Sequence, residues 1–226
     1  MSNPSKMRYS QAPEPEETVM ATAVKICGIT RVEDALVAAH AGAHAVGLIF
    51  YAGSPRVVAH EVARRVVDAL PPFVTPVALF VGARPDDVKR IIAEVRPQLL
   101  QFHGDESPEF CESFDMPYIK AVKVRPGVDL LQYARHYRTA KGLLLDAFVA
   151  GSHGGTGSTF DWALIPQQFP LPLILAGGLH QDNVADAIRR VQPWAVDVSS
   201  GVEARIGIKD AAKITAFIRG ARNADV

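Results

Sequence analysis

The sequence predicts an α/β protein built as one (β/α)8 barrel, a closed parallel sheet of eight strands inside an outer ring of helices. Three observations predict it. Short apolar runs rich in β-branched and aliphatic residues recur eight times after residue 23, as strands buried on both faces require. Each run is followed by a segment of helical spacing, so the strands are joined by crossovers and lie parallel. No G-x-G-x-x-G follows the first run, which weakens the alternative of an open, doubly wound dinucleotide fold. Closure also removes the two edges that an open sheet would have to protect.

The units run as follows. VKICGI from Val24 precedes a helix near Glu33, and AVGLIFY from Ala45 precedes one from His60. In that second helix Val62, Val66, Ala69 and Leu70 share a face, while Glu61, Arg64, Arg65 and Asp68 fall elsewhere. TPVALFV from Thr75 leads to a helix at Pro85, and LLQFHG from Leu99 to one at Pro108. YIKAVKV from Tyr118 leads to Asp129, and GLLLDAF from Gly142 to Asp161. LILAGG from Leu173 leads to Asp182, and AVDVSSG from Ala195 to a last helix at Asp210. Acidic residues near the starts and basic ones near the ends, as from Asp182 to Arg190, match helix polarity.

Composition narrows the function. The chain has 226 residues, 48% hydrophobic and 21% charged, enough apolar surface for a sizeable core. Lys+Arg 24 balance Asp+Glu 24, which gives no support to a nucleic-acid groove or an anionic-membrane surface. No apolar run reaches the roughly 18 residues of a spanning helix. Two cysteines, Cys27 and Cys111, cannot make a disulfide framework, and reduced thiols fit a cytoplasmic enzyme. Residues 1–22 carry Pro4, Pro13, Pro15, Glu14, Glu16 and Glu17 with hardly an aliphatic side chain. They read as a disordered N-terminal tail without the apolar core of an export signal, and residues 23–226 as the barrel domain.

In such a barrel the chemistry sits at the C-terminal ends of the strands. Those ends read Cys27-Gly28, Tyr51 to Arg56, Gly82, His103-Gly104, Lys123 to Arg125, Asp146, Gly177-Gly178 and Ser199-Ser200-Gly201. The seventh and eighth place small residues where loops in this architecture commonly bind phosphate, so main-chain amides can approach an anion. A lone cysteine is usually a small buried hydrophobe. Cys27, however, lies at the catalytic end, with Thr30 placed to cap the next helix and a helix N-terminus near enough to favour a thiolate. Asp146 interrupts an apolar strand at the same level. A buried carboxylate needs a partner or keeps its proton for use as an acid. A thiolate base and a carboxylic acid facing one mouth suit proton transfer on two sides of a small substrate. Alternation puts Lys25 on the inward face with Cys27, and Asp197 at matching depth on the eighth strand. The two should be in ion-pair reach if the barrel closes.

These motifs resemble the phosphoribosylanthranilate isomerases of tryptophan biosynthesis, TIM barrels, over nearly the whole chain after the tail. The matching segments, in the family's order, are VKICGITRVEDA, GLIFYAGSPRVV, QFHGDE, LLLDA, LAGGL and VDVSSGVE. The one departure is Phe102, where the family more often has leucine; its ring is expected beside the mouth. The resemblance implies an Amadori rearrangement of N-(5-phosphoribosyl)anthranilate to 1-(o-carboxyphenylamino)-1-deoxyribulose 5-phosphate, without cofactor or metal. It implies Asp146 as general acid at the ring oxygen, Cys27 as general base at C2′, and Arg56 on the anthranilate carboxylate. Gly177, Gly178, Ser200 and Gly201 would take the phosphate, and the run Gly154–Gly157 resembles the family's mobile loop over the site. His103 either touches substrate or only hydrogen-bonds within the mouth, and Cys111 is structural. His40 and His44 are four apart, but the second lies in the AGAHA turn rather than on a continued helix, so no zinc site is expected. The partners implied are a small phosphorylated substrate, no nucleic acid and no membrane, with the chain a monomer or a homodimer. Two rivals exist. A dual-specificity sugar isomerase also serving histidine biosynthesis would have aspartate in place of Cys27. A non-catalytic phosphate-binding barrel would have no need of both Cys27 and Asp146.

Overall fold

The eight apolar runs become the eight strands of one closed parallel barrel in a computed structural model that describes residues 21–147 and 160–224. The strands are β1 (Ala23–Ile26), β2 (Ala45–Ile49), β3 (Thr75–Phe80), β4 (Leu99–Phe102), β5 (Tyr118–Val124), β6 (Leu143–Ala147), β7 (Leu173–Leu175) and β8 (Ala195–Val198). β8 returns to β1 with Lys25 in register with Asp197. Thr22, just ahead of β1, is buried; the rest of the tail up to residue 20 and the run Gly154–Gly157 lie outside the described residues.

Period-two alternation sorts the side chains into two cores. Val24, Ile26, Val46, Leu48, Phe80, Leu100 and Phe102 join the large apolar layer between sheet and helices. Inside the barrel an apolar floor of Ile119, Ala121, Leu144, Ile174 and Ala195 is separate from a smaller cluster of Cys27, Ile49 and Leu79. Phe102 thus belongs to the outer layer, ringed by Phe80, Phe110, Phe114 and Tyr118. The expectation that its ring lies beside the mouth is corrected: on β4 it is Gln101 and His103 that turn inward.

The helices among the described residues are α1 (Val32–Ala41), α2 (His60–Ala69), α3 (Pro85–Val95), α4 (Pro108–Glu112), α5 (Leu130–His136), α6 (Val184–Val191) and α7 (Ala211–Arg222). Proline opens α3 and α4, where its missing N–H costs nothing. Asp210 caps α7 by accepting from the amides of Ala212 and Lys213. Two helix expectations are corrected. The segment from Asp161 makes only a 3-10 turn at Trp162–Leu164. Pro166 holds Ile165 extended (φ −84°, ψ 123°), and Pro170 and Pro172 keep the chain from re-entering a helix. At α1 the cap position is Arg31 and has no side-chain cap, while Thr30 donates instead to the carbonyl of Gly207. An addition follows β8: a 3-10 turn at Ser200–Val202 and a hairpin of β9 (Glu203–Arg205) and β10 (Ile208–Lys209). No helix of the described residues is long and apolar enough to cross a membrane.

Candidate active site

The strand ends enclose a cavity of about 230 Å³ at the C-terminal mouth. Cys27, Arg56, His103, Asp146, Gly177, Gly178 and Ser200 all line it. Gly201 does not. A Cβ there would lie 2.0 Å from the carbonyl oxygen of Leu179, so this glycine lets the loops after β7 and β8 press together. Tyr51 and Ser199, read from the sequence as strand-end residues without a role, also line the cavity, and sequence reasoning missed Gln101; its place two residues before His103 on β4, on the same inward face, is the signal that could have found it.

On one side of the cavity lies a buried polar chain. Asp146 Oδ1 accepts from the amide of Ala147 at 2.9 Å, and its Oδ2 is 3.2 Å from His103 Nε2. His103 Nδ1 is 3.0 Å from Gln101 Nε2, and the buried Gln101 Oε1 has no hydrogen-bond partner among the described residues. Asp146 is therefore neither unpaired nor exposed, and His103 holds it while itself facing the cavity. Gly177 (φ 80°) passes so close that a Cβ would stand 2.5 Å from the amide nitrogen of Ala147 and 3.0 Å from Asp146 Oδ1. Only glycine tolerates both the conformation and the approach.

Cys27 leaves β1 with its amide donating to Val198 at 2.8 Å and its thiol buried. Lys25, one inward position earlier, pairs with Asp197 at 2.8 Å, as expected from alternation and closure. Burial pushes the Cys27 thiol above its ordinary value; Lys25 pulls it back through charge and a hydrogen bond, and Asp197 opposes that pull. The expectation of a thiol lowered by a nearby helix N-terminus is corrected, because desolvation outweighs the neighbouring charge. Burial likewise disfavours the ammonium of Lys25, yet Asp197 and the thiol together push it up to about 12. Gly47 on β2 makes room for the thiol: a Cβ there would be 2.7 Å from Cys27 Sγ.

Arg56 reaches the cavity, but part of its guanidinium is engaged. Nε donates to Glu203 Oε1 at 2.7 Å and Nη2 to Oε2 at 2.9 Å. Lys209 Nζ adds a 3.0 Å bond to Oε1 and another to the carbonyl of Ser199. Burial alone would raise the Glu203 carboxyl, but bonds from Arg56 and Lys209 hold it below its ordinary value. Gly28 (φ 75°) lies against both sides of this network, since a Cβ would meet Arg56 Cδ at 2.8 Å and Ser199 Oγ at 2.9 Å. Cys111 lies elsewhere, on the core-facing side of α4, its thiol pushed up to about 12 by burial.

The chain is similar in sequence and fold to known proteins. The family model of N-(5′-phosphoribosyl)anthranilate isomerase matches residues 24–220. An N-(5′-phosphoribosyl)anthranilate isomerase of Nitrosospira multiformis is 60% identical over 201 residues, 89% of this chain and 97% of that one. The crystal structure of the phosphoribosyl anthranilate isomerase of Thermotoga maritima superposes with a TM-score of 0.82 at 42% identity, over 89% of this chain and 99% of that one. A crystal structure of a phosphoribosyl anthranilate isomerase in complex with reduced 1-(o-carboxyphenylamino)-1-deoxyribulose 5-phosphate aligns with a TM-score of 0.79, again at 42% identity and the same coverage. The chain belongs to the N-(5′-phosphoribosyl)anthranilate isomerase family, the isomerases of tryptophan biosynthesis.

Proposed function

We propose that the chain converts N-(5-phosphoribosyl)anthranilate to 1-(o-carboxyphenylamino)-1-deoxyribulose 5-phosphate, with Asp146 as general acid and Cys27 as general base. The observation that carries this reading is one small cavity holding a hydrogen-bonded carboxyl at one strand end and a lysine-bonded thiol at another. Asp146 gives its proton to the ribose ring oxygen. The C1′–O bond breaks as the nitrogen lone pair forms an iminium. Cys27, as thiolate, takes the C2′ proton, and the C–H electrons make the enolamine, which tautomerises to the ketone. Gln101 fixes the ring of His103: its amide Nε2 donates to Nδ1 at 3.0 Å, which directs Nε2 of the imidazole at Asp146 Oδ2 and holds that carboxyl in place beside the cavity. Lys25 stabilises the thiolate when it forms. Arg56 holds the anthranilate carboxylate, for which a planar guanidinium is suited. The amides of Gly177, Gly178 and Ser200, with Gly201 behind them, hold the phosphate. The enzyme works in the cytoplasm, as a monomer or a homodimer.

The test is turnover followed by loss of substrate fluorescence. Cys27→Ala and Asp146→Asn should each lose roughly 10²-fold or more in kcat, the scale of a positioned proton-transfer group. Affinity for product should change little, because its anions are held elsewhere. Most of the turnover surviving in Cys27→Ala would make the thiol a packed core residue and end this mechanism.

A further inference from the structure

The last residue of the motif VDVSSGVE is used by no step above, although it is the most heavily bonded acid around the mouth. Glu203 opens β9, just past the 3-10 turn that follows β8, and does not itself line the cavity. We propose that Glu203 is a positioning residue, locking the guanidinium of Arg56 in the orientation that receives the aryl carboxylate of the substrate. The proposal rests on the reading of Arg56 given under Proposed function.

Three observations carry it. First, the two bonds from Arg56 fall on one edge of the guanidinium, Nε and Nη2. That edge is occupied by a carboxylate, and among the described residues nothing bonds Nη1, so the edge made by Nη1 and Nη2 keeps its planar fork for a second one. Two carboxylates can therefore share Arg56 without competing. Second, Glu203 is itself held from the other side: Oε1 also accepts from Lys209 Nζ at 3.0 Å and from the amide of Gly207 at 3.3 Å. The hairpin of β9 and β10 thus makes the acceptor rigid, and a rigid acceptor fixes the long, flexible arginine that it binds. Third, the charges do not cancel. Arg56 and Lys209 are two buried cations around one buried anion. A carboxylate arriving on Arg56 would balance the cluster, which is how a buried site favours an anion over a neutral group of the same shape.

Glu203 acts on one substituent of the ligand only, and that separates positioning from general support of the fold. The probes are reduced 1-(o-carboxyphenylamino)-1-deoxyribulose 5-phosphate and its phenylamino analogue lacking the carboxylate. Each is titrated against wild type, Glu203→Gln, Arg56→Ala and the double variant, alongside kcat and KM for the true substrate. Glu203→Gln keeps the volume but loses the charge and one acceptor. Removing this anion adds net positive charge beside the site, but it also frees the guanidinium to leave its receiving orientation; if positioning is what Glu203 supplies, the carboxylated probe weakens about tenfold or more despite the added charge. The analogue should bind within about twofold of wild type, and KM should rise with kcat nearly unchanged. The double variant should be no weaker than Arg56→Ala alone, because the two side chains act through one contact. Glu203→Asp, which keeps the charge but retracts it by one methylene, carries the same test if the glutamine variant does not fold. Equal loss on both probes, or no loss on either, would overturn the proposal while leaving Arg56 as the carboxylate ligand. If Arg56→Ala does not discriminate between the probes, the reading of Arg56 fails and the proposal falls with it.

Discussion

Replacing Lys25 with methionine separates two things that one ammonium does. The side chain lies inside the barrel, 2.8 Å from Asp197 and hydrogen-bonded to Cys27. Methionine fills nearly the same volume and leaves Asp197 as an unpaired buried carboxylate, which costs about 3–5 kcal/mol. At roughly 2–4 °C per kcal/mol for a domain of this size, the melting temperature should fall by about 6–20 °C. The thiol responds separately. It loses the cation that favours its ionised form and keeps Asp197, which opposes it. A unit charge at about 4 Å is worth roughly 4 kcal/mol even at an effective dielectric of about 20, and one pKa unit is about 1.36 kcal/mol. The rising limb of kcat/KM against pH should therefore move upward by about one pH unit or more. In Lys25→Met/Asp197→Leu the apolar pair should restore most of the stability. The limb should then fall between wild type and the single variant, since the opposing anion has gone as well. The pH dependence of stability gives a further check. Lys25 is raised from 10.5 to about 12 in the folded state, so the pair's contribution is whole below pH 10.5 and disappears as the pH passes about 12. The double variant should show no such alkaline loss. Thermal unfolding by circular dichroism and pH–rate profiles measure all of this. An unmoved rate profile in Lys25→Met would refute the role assigned to Lys25 in tuning the thiol, and an unchanged melting temperature would refute the buried pair.

Gly47→Ala puts a Cβ 2.7 Å from Cys27 Sγ and 3.0 Å from Lys25 Nζ; the forced shift should lower kcat by about tenfold or more and stability by about 1–3 kcal/mol, read by kinetics and urea unfolding. The carboxyl of Glu203 lies below its ordinary 4.5, so its contribution to stability is present above pH 4.5 and is lost as the pH falls through the lower folded value. Glu203→Gln should flatten that part of the curve in urea titrations at graded acid pH. Removing residues 1–20 should leave turnover unchanged and shift the melting temperature by less than about 4 °C, and a larger drop would show that the tail docks on the barrel.

Local pattern carried most of the fold. Each strand begins within a residue of its apolar run, because a strand buried on both faces writes its length directly into the sequence. The pairing of Lys25 with Asp197 was legible too, since it needs only alternation and closure. What escaped was decided by competition or by distance. The helix expected after Asp161 has helical spacing, but Pro166 overrides it within one turn. The hairpin Glu203–Lys209 is too short to stand out from the run before α7, so both the acid that grips Arg56 and the lysine that braces it went unnoticed. Cys27 was placed correctly at the mouth, but the balance between desolvation and charge on its thiol depends on how completely the barrel encloses it. No one-dimensional pattern reports that. Phe102 follows the same alternation as β1, which turns its ring to the outer layer rather than to the mouth.

Closure also sets the order in which the enzyme can come alive. Lys25 and Asp197 are 172 residues apart in the chain, and Arg56 and Glu203 are 147 apart. Contacts of that span form late, because a long loop of chain must be ordered before they can repay it. A nascent or refolding chain that has not seated β8 leaves Lys25 without its anion and Arg56 without its brace, although Cys27, His103 and Asp146 are already in place along earlier strands. On the proposed mechanism, such a partial barrel would bind substrate poorly, and its thiol would ionise only at higher pH. Recovery of turnover during refolding would then serve as a clock for the final stroke, the moment the last strand shuts against the first.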